Sequence, residues 1–452
     1  MPHLVLSLLV ACRNAPIPLF LRLIYAVLRL VVWVSVRIFY RRRLVLGRPH
    51  FRFDGPAIVV ANHPSTLMDV FHPALEICQE MFFLANYGLF RHPVSRWLLS
   101  RLFCIPVMRP EDVRPGEERD NSQAFEASFQ HLERRGVLFI APEGTSWMNR
   151  FVRPLKTGTA RIALGAEARN GWRLGVVVVP VGLSYSAPHR FRSDVVVNAG
   201  LPVRVADWRD IWETDPAAAI EGLTQHLEAQ LKHLSIHTCD ETGEQALTLW
   251  EEVLQNELPI PQKAAFNRSQ HLARHHLTDA ALVHAAIEYR QLLDEAGLPD
   301  AALCQREQQG RLWRRIGLVL SFPLFAVGYA FWFLPCYIPY WLNRRLDLYI
   351  GYSATVMITA GIVVFPLYGW AAFRTALWWG LSKVLAWLAL LALTASGLLV
   401  EHYLDAFKLE KAAARARHWA REVPEAFARA QNLRRQLVER LRQALKEALQ
   451  EQ

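Results

Sequence analysis

The residues best suited to chemistry are a histidine and an aspartate that follow a short apolar run. His63 comes after Ala57–Ala61 and Asn62, and Asp69 follows with five residues between the two, beyond Pro64 and a predicted turn. A histidine in such a connection is more exposed than one inside a strand. If Asp69 accepts the proton on one ring nitrogen, the other nitrogen becomes a base. A His–Asp pair with no third member suits removal of a proton from a hydroxyl group that belongs to the substrate.

A second polar cluster follows another apolar run. Val137–Ala141 leads through a proline into Glu143, Gly144, Thr145 and Ser146. A carboxylate, a glycine and two hydroxyl groups at the end of a strand are groups that bind a polyol. This cluster therefore predicts a site for a substrate that carries several hydroxyl groups.

Three basic residues are candidates for binding a phosphate group. Lys156 and Arg161 flank the start of a helix predicted over Leu155–Ala168. The amino end of a helix favours anions. Arg109, at the end of the predicted strand Phe103–Val107, is the third candidate, because a guanidinium group binds phosphate through two hydrogen bonds. Each of these residues, taken alone, is equally compatible with an ordinary surface charge.

The elements that must position these residues alternate between two kinds. From about Phe51 to Arg204, short β-branched or aromatic runs are separated by helical patterns. This alternation predicts an α/β layer with a parallel or mixed sheet, whose catalytic groups gather at strand ends. The predicted strands are Ala57–Ala61, Met81–Ala85, Phe103–Val107, Val137–Ala141, Val176–Leu183 and Val195–Ala199, and the predicted helices include Asn121–Arg134 and Leu155–Ala168.

Long apolar stretches follow in the carboxyl-terminal half. Ile316–Leu342 and Tyr349–Phe373 carry no charged residue, and Thr375–Val400 carries only Lys383. Each exceeds the ~20 residues that a spanning helix needs. Ile316–Leu342 contains three prolines and has arginines on both sides, which mark the cytoplasmic face. The sequence therefore predicts a proline-bent hairpin that returns to the cytoplasmic side, followed by two crossings.

The remaining regions complete a five-part plan. In residues 1–50, Ile17–Tyr40 is apolar with arginines on one side, which predicts an amphipathic helix in the membrane interface. Arg41–Arg43 are expected to bind anionic headgroups. Residues 51–205 form the α/β domain, 206–310 a helical extension, 311–400 the membrane region and 401–452 a charged helix with a break at Pro424. Within the extension, Ser269–Ala296 is predicted to be helical.

Composition excludes several classes of protein. The 452 residues are 52% hydrophobic and 20% charged, which excludes a disordered chain. The six cysteines include no CxxC pair, so neither a disulfide framework nor a zinc knuckle is indicated. The net charge of +10 fits nucleic acid or a membrane surface. Basic residues cluster beside the apolar stretches, so we predict membrane lipids as partners and no nucleic acid. The spacing of His271 and His275 predicts a solvated face, with no metal site.

The two polar clusters, in this order, resemble motifs of the phospholipid and glycerol acyltransferase superfamily. Asn62, His63 and Asp69 match its first motif, Pro142–Thr145 its third and Val178–Val181 its fourth, while Cys104–Arg109 matches the second only in part. Five residues separate His63 from Asp69 where four are usual. That spacing resembles the yeast-type branch of glycerol-3-phosphate and dihydroxyacetone-phosphate acyltransferases and its bacterial relatives.

The resemblance implies an α/β acyltransferase domain, a mixed sheet flanked by helices, with an amino-terminal membrane helix and a carboxyl-terminal transmembrane region. It implies transfer of a fatty acyl group from acyl-CoA or acyl carrier protein to glycerol 3-phosphate or dihydroxyacetone phosphate, in phosphatidic acid and phospholipid synthesis. His63, oriented by Asp69, would be the base. The expected substrate-binding residues are Arg109, Glu143, Gly144, Thr145, Lys156 and Arg161.

No acyl-enzyme, metal or cofactor is expected, and the sequence has no GxSxG motif. The enzyme is expected to be a multi-pass membrane protein with its active site facing the cytoplasm. Two alternatives stay open at this point: a 1-acylglycerol-3-phosphate acyltransferase, and a membrane scaffold or transporter without catalytic activity.

Overall fold

The computed structural model describes residues 18–99, 103–109, 112, 120–304 and 311–450. It divides into two compact units. The first is Met1–His237 together with Tyr349–Thr355, and the second is Thr238–Leu348 together with Val356–Gln452. The strands all lie in the first unit, and the membrane candidates lie almost entirely in the second.

One mixed sheet organises the first unit. Its strands are β1 (Arg42–Leu46), β2 (Ala57–Ala61), β3 (Met81–Asn86), β4 (Cys104–Val107), β5 (Val137–Ile140), β6 (Val177–Tyr185), β7 (Asp194–Ala199) and β8 (Val203–Arg204). The order is β1-β7-β6-β2-β5-β3-β4, and β8 pairs with β6. Strands β6, β2, β5, β3 and β4 are mutually parallel, while β7 runs antiparallel to β6. The five parallel strands therefore place their carboxyl ends at one edge.

Helices cover this sheet. They are α1 (Leu19–Phe39), α2 (Leu67–Ala74), α3 (Pro93–Leu99), α4 (Ser122–Glu133), α5 (Gly158–Arg169), α6 (Arg209–Thr214) and α7 (Pro216–Leu234). Side chains of β2 and β5, such as Ile58 and Leu138, share a buried core with Leu164 of α5 and with Leu223 and Leu227 of α7. Helix α7, which the sequence assigned to a separate extension, therefore belongs to the α/β core.

All six predicted strands are present, but β1 and β8 were missed. Strand β1 begins with arginines, and an edge strand needs less apolar sequence than a central one because fewer of its side chains are buried. It pairs in parallel with β7, with Arg42 opposite Asp194. The sheet domain therefore begins near residue 42, before the predicted boundary at residue 51.

The residues Arg41–Arg43, which were predicted to bind headgroups, form ion pairs within the domain. Arg41 and Arg42 both pair with Asp194, at 3.1 Å for Arg41. Arg43 donates to the carboxylate of Glu76 at 2.7 Å and to the carbonyl of His72 at 2.8 Å. Carboxylates of the same domain therefore satisfy this basic run.

Helix α1 is amphipathic, but its faces are turned the opposite way from those of a helix whose arginines bind anionic headgroups. Arg29 donates to the carbonyl of Leu75 at 2.9 Å, and Arg22 lies 3.7 Å from Glu80. Most of the exposed side chains are apolar and recur at helical spacing: Phe20, Leu23, Val27, Leu30, Val34 and Ile38. Arg22 and Arg29 thus contact the domain, whereas Arg37 is exposed together with this apolar face.

The second unit consists of helices. They are α8 (Glu241–Glu257), α9 (Gln262–His275), α10 (Ala280–Ala296), α11 (Arg311–Leu346), α12 (Ser353–Trp378), α13 (Lys383–Glu422) and α14 (Pro424–Gln450). The single helix predicted over Ser269–Ala296 is wrong. Asp279 caps α10, with its carboxylate accepting from the backbone of Ala281 and Leu282. An aspartate at this position favours a new helix start over a continuous helix.

Among the residues that the structure describes, three helices are long and apolar enough to cross a membrane: Arg311–Leu346, Ile350–Trp378 and Lys383–Glu422. The first corrects the predicted hairpin, because it is one continuous helix that contains Pro323, Pro335 and Pro339. Each proline removes one backbone donor and bends a helix without ending it, and membrane helices tolerate such interruptions. Helix α13 also continues past the apolar stretch into the charged tail, which breaks at Pro424 as predicted.

The charged tail is fixed within the second unit by a buried ionic cluster. Arg434 of α14 donates to Asp300 at 2.8 and 3.1 Å and to Glu257 at 2.5 Å. The hydroxyl of Tyr289 donates to the same Asp300 at 2.8 Å. The tail is therefore an integral part of this unit, because removing one partner would leave a buried charge uncompensated.

Candidate active site

The site lies where two adjacent parallel strands end. Strands β2 and β5 pair with Val60 opposite Ile140, so the residues that follow them meet at the same edge. The backbone N–H of His63 donates to the Glu143 carboxylate at 3.1 Å. In return, the backbone N–H of Trp147 donates to the carbonyl of His63 at 3.1 Å. The two polar clusters predicted from the sequence are thus held against each other.

His63 and Asp69 form a close pair. Nδ1 of His63 lies 3.0 Å from Oδ2 of Asp69, and the Asp69 side chain is fully buried while 19% of the His63 side chain is exposed. Asp69 lies in the first turn of α2, directly after the turn that follows β2. Since Nδ1 faces the carboxylate, Nε2 is the ring nitrogen left for a substrate.

Two further donors hold Asp69. The backbone N–H of Ser65 donates to Oδ2 at 2.7 Å, and the hydroxyl of Tyr185 donates to Oδ1 at 2.7 Å. Burial, and then the charge of Asp69, raise the pKa of Tyr185. The tyrosine therefore stays protonated and remains a donor.

Sequence reasoning missed Tyr185. It is the last residue of β6, and β6 neighbours β2 in the sheet. Only that strand order brings it to Asp69, since 116 positions separate the two residues in the chain. Asn62 reinforces the same junction, because its side chain donates to the carbonyl of Leu183 at 2.9 Å and accepts from the N–H of Leu183 at 2.7 Å.

The side chain of Glu143 is buried, and its carboxylate accepts a backbone hydrogen bond. Its burial raises the carboxyl pKa to about 7, and the N–H groups of His63 and Arg153 limit the rise. The next residue, Gly144, has φ +77°, in the left-handed region, and its N–H donates to the carbonyl of Ala141 at 3.1 Å. A side chain is disfavoured at such a φ. Thr145 continues the same turn and is half-buried.

The structure brings Lys156 to this turn. A Cβ atom on Gly144 would stand 2.6 Å from the Lys156 ammonium nitrogen, so the lysine lies over the glycine. The backbone N–H of Lys156 also donates to the carbonyl of Pro142 at 2.9 Å. Helix α5 begins at Gly158, three residues later than predicted. Lys156 therefore precedes the helix.

The other two predicted phosphate ligands are placed differently. Arg161 is the fourth residue of α5 and has an exposed side chain. Arg109 follows β4, the edge strand, and its guanidinium binds Asp112 at 3.1 Å. Strands β5 and β3 stand between β2 and β4. Of the three, Lys156 is the residue that the fold places directly at the Glu143–Thr145 turn.

Comparison with known proteins identifies this region. Residues 42–184 match the family model named Acyltransferase. This region is an acyltransferase domain of the phospholipid and glycerol acyltransferase superfamily. The chain is 29% identical over 198 residues to glycerol-3-phosphate O-acyltransferase 2 of Saccharomyces cerevisiae, which is 42% of this chain and 26% of that protein.

Two other relatives match shorter segments. Glycerol-3-phosphate O-acyltransferase 1 of the same yeast is 37% identical over 86 residues, 19% of this chain and 11% of that protein. The chloroplastic 1-acyl-sn-glycerol-3-phosphate acyltransferase BAT2 of Brassica napus is 26% identical over 154 residues, 34% of this chain and 40% of that protein. The chain thus spans less than half of the length of each of these relatives.

The raised pKa of Glu143 predicts a pH-dependent stability. A free glutamate titrates near 4.3, whereas Glu143 titrates at about 7 in the folded protein. Between these values the unfolded chain loses a proton that the folded chain keeps, so stability falls as the pH rises from about 4 to about 7. The loss is on the order of 3 kcal/mol.

Glu143→Gln removes this titration. Thermal unfolding of the wild type in detergent should therefore shift to lower temperature between pH 5 and pH 8 by more than it does for the variant. An identical pH dependence in the two proteins would show that Glu143 titrates normally.

Proposed function

We propose that this protein is a membrane-bound O-acyltransferase that transfers a fatty acyl group from an acyl thioester to a hydroxyl of glycerol 3-phosphate or dihydroxyacetone phosphate. The observation that carries the proposal is the His63–Asp69 pair, 3.0 Å apart, inside the acyltransferase domain. The names of the two yeast relatives support the choice of acceptor.

The geometry supports a general-base mechanism. With Nδ1 facing the Asp69 carboxylate at 3.0 Å, Nε2 of His63 takes the proton of the acceptor hydroxyl. The hydroxyl oxygen attacks the thioester carbonyl, so that a C–O bond forms and the C–S bond breaks. The proton on Nε2 then passes to the leaving thiolate. Asp69 stabilises the imidazolium that exists between these two proton transfers.

The acceptor would occupy the turn next to this base. Glu143, Gly144 and Thr145 offer polar groups for the glycerol hydroxyls, and the ammonium group of Lys156 lies over Gly144. A cation beside a turn of this kind suits a phosphate group. Arg161 and Arg109 remain further candidates for phosphate binding, with Arg109 already paired to Asp112.

A second candidate is transfer to 1-acylglycerol 3-phosphate. The match to the Brassica napus protein favours it, and that acceptor also presents a hydroxyl near a phosphate. A panel of acceptors with labelled acyl-CoA and acyl carrier protein thioesters, analysed by lipid chromatography, distinguishes the two functions.

We also propose that the site faces the cytoplasm and that the chain crosses the membrane an even number of times. Within the second unit, Arg311 at the start of α11 lies 3.1 Å from Glu410, which follows the apolar part of α13. The start of α11 and the charged part of α13 would then lie on one side of the membrane. Helices α12 and α13 would cross out and back, which agrees with the bond from Arg434 of the tail to Asp300.

His63→Ala should lower turnover by roughly 10²–10⁴, the usual contribution of a general base. Asp69→Asn should also be slow, because the imidazole loses the group that fixes its tautomer. The measurement is acyl transfer to glycerol 3-phosphate by protein with unchanged thermal unfolding. Near-normal turnover of folded His63→Ala would remove the assignment.

Lys156→Ala should raise the acceptor KM far more than the acyl-donor KM, because in the proposed site the ammonium group would contact only the phosphate of the acceptor. Arg169→Ala is the matched control, since Arg169 is a basic residue at the opposite end of α5 that pairs with Glu126. Equal effects of Lys156→Ala on both KM values would contradict a role in phosphate binding.

Cysteine labelling tests the membrane arrangement. In a variant without the six native cysteines, Gln123→Cys and Gln436→Cys should resist an impermeant thiol reagent in intact cells, while Trp379→Cys should react. All three positions are exposed in the structure. Reaction at position 123 would place the site on the outer face, and reaction at 436 would indicate an odd number of crossings.

A further inference from the structure

A short turn far along the chain contacts both loops of the candidate active site. Tyr349–Thr355 stands between α11 and α12 in sequence but belongs to the first compact unit. It lies more than 160 residues after the segment that matches the acyltransferase family, which ends at residue 184. The motifs of the family therefore assign it no role.

One end of the turn contacts the loop that carries the catalytic pair. The hydroxyl oxygens of Thr355 and Thr66 are 2.8 Å apart, and the Thr66 hydroxyl also lies 3.4 Å from the carbonyl of Gly351. Gly351, Ser353 and Ala354 are buried. The contact is thus part of a packed interior, where a lost hydrogen bond is not replaced by water.

The other end of the turn contacts the second polar loop. The backbone N–H of Met148 donates to the hydroxyl of Tyr349 at 3.1 Å. Met148 follows the Glu143–Thr145 turn by three residues. The same seven-residue turn therefore contacts the loop after β2 and the loop after β5.

Thr66 is the residue through which such a contact would act on the catalytic pair. Its φ of +48° is a left-handed value, which is unfavourable for a β-branched side chain. Its neighbour Ser65 donates a backbone N–H to Asp69, and the N–H of Asp69 donates to the carbonyl of Thr66 at 3.2 Å. The conformation of Thr66 thus fixes where Asp69 stands relative to His63.

A strained residue keeps its conformation only where its surroundings determine it from several sides. For Thr66 these are the hydroxyl of Thr355, the carbonyl of Gly351 and the hydroxyl of Ser146, which accepts the N–H of Thr66 at 3.3 Å. Two of the three partners come from the Tyr349–Thr355 turn.

We propose that the Tyr349–Thr355 turn is a positioning element of the acyltransferase site, in which Thr355 holds Thr66 and thereby keeps Asp69 against His63. Thr355 does not touch the reacting atoms. The inference rests on the proposed function, because it assigns the turn a role in the same reaction. According to this proposal, turnover depends on Thr355, which lies outside the segment 42–184 that matches the acyltransferase family.

The first experiment compares three full-length variants. Thr355→Val keeps the size of the side chain and removes its hydroxyl, so kcat for acyl transfer should fall roughly 5- to 10-fold while both KM values stay within about twofold. Thr355→Ser restores the hydroxyl and should restore kcat. Thr375→Val is the control, because Thr375 lies in the same helix α12 and its hydroxyl donates to the carbonyl of Ala371.

If Thr355 served folding alone, Thr355→Val would lower the amount of folded protein and leave kcat per folded molecule unchanged. Thermal unfolding and the fraction of folded protein are therefore measured for each variant. Unchanged kcat in folded Thr355→Val, or failure of Thr355→Ser to rescue it, would overturn the inference.

The second experiment imposes the contact covalently. In Thr66→Cys/Thr355→Cys, oxidation should produce a disulfide detectable by peptide mass spectrometry. The reduced double variant should be slow, and oxidation should return part of kcat. Absence of the crosslink would contradict the placement of the turn, and equal activity before and after crosslinking would contradict its positioning role.

The two proposals fail in different ways. Wild-type protein that transfers acyl groups to none of the acceptors would remove the proposed function, whatever the crosslink yield. If the wild type is active and Thr355→Val has the same kcat, the positioning role alone is removed and the His63–Asp69 mechanism stays intact.

Discussion

A fully buried carboxylate, Asp69, is the constraint around which the catalytic unit is built. Burying a charge is costly unless hydrogen bonds compensate for the lost water. Ser65, Tyr185 and His63 surround Asp69. Ser65 and His63 come from the turn after β2, and Tyr185 comes from the end of β6. The strand order must therefore be correct before Tyr185 can reach Asp69. The same arrangement leaves His63 half-buried, with one ring nitrogen committed to Asp69.

Several arginines that the sequence suggested would face the membrane surface form ion pairs with carboxylates of their own unit. The run at residues 41–43 pairs with Asp194 and Glu76, and Arg22 of helix α1 lies near Glu80. In the second unit, Arg311, Arg314 and Arg315 converge on Glu410. Most of the exposed side chains of α1 are apolar. Contact with lipid would then depend on hydrophobic burial, with less contribution from headgroup charge than the basic runs predict.

Polar contacts within each unit fix segments that adjoin the long apolar helices. A turn between two long apolar helices is packed into the first unit, and a charged tail that continues from the third is fixed in the second by Arg434. Polar contacts of this kind restrict where the ends of the apolar helices can lie. In the second unit, the pair between Arg311 and Glu410 does so for the start of α11 and the charged part of α13.

The sequence alone determined the α/β class, six of the strands, His63, Asp69 and the Glu143–Thr145 turn, because β-branched runs and strand-end polar residues are local signals. It could not determine β1, whose basic residues hid an edge strand, or the break at Asp279 inside an apparently continuous helix. Tyr185 and Thr355 became visible only in the tertiary structure, since they lie 116 and 289 positions from the residues they contact. Local periodicity specifies elements, whereas the compensation of a buried charge depends on which elements become neighbours, and that was decided by strand order and packing.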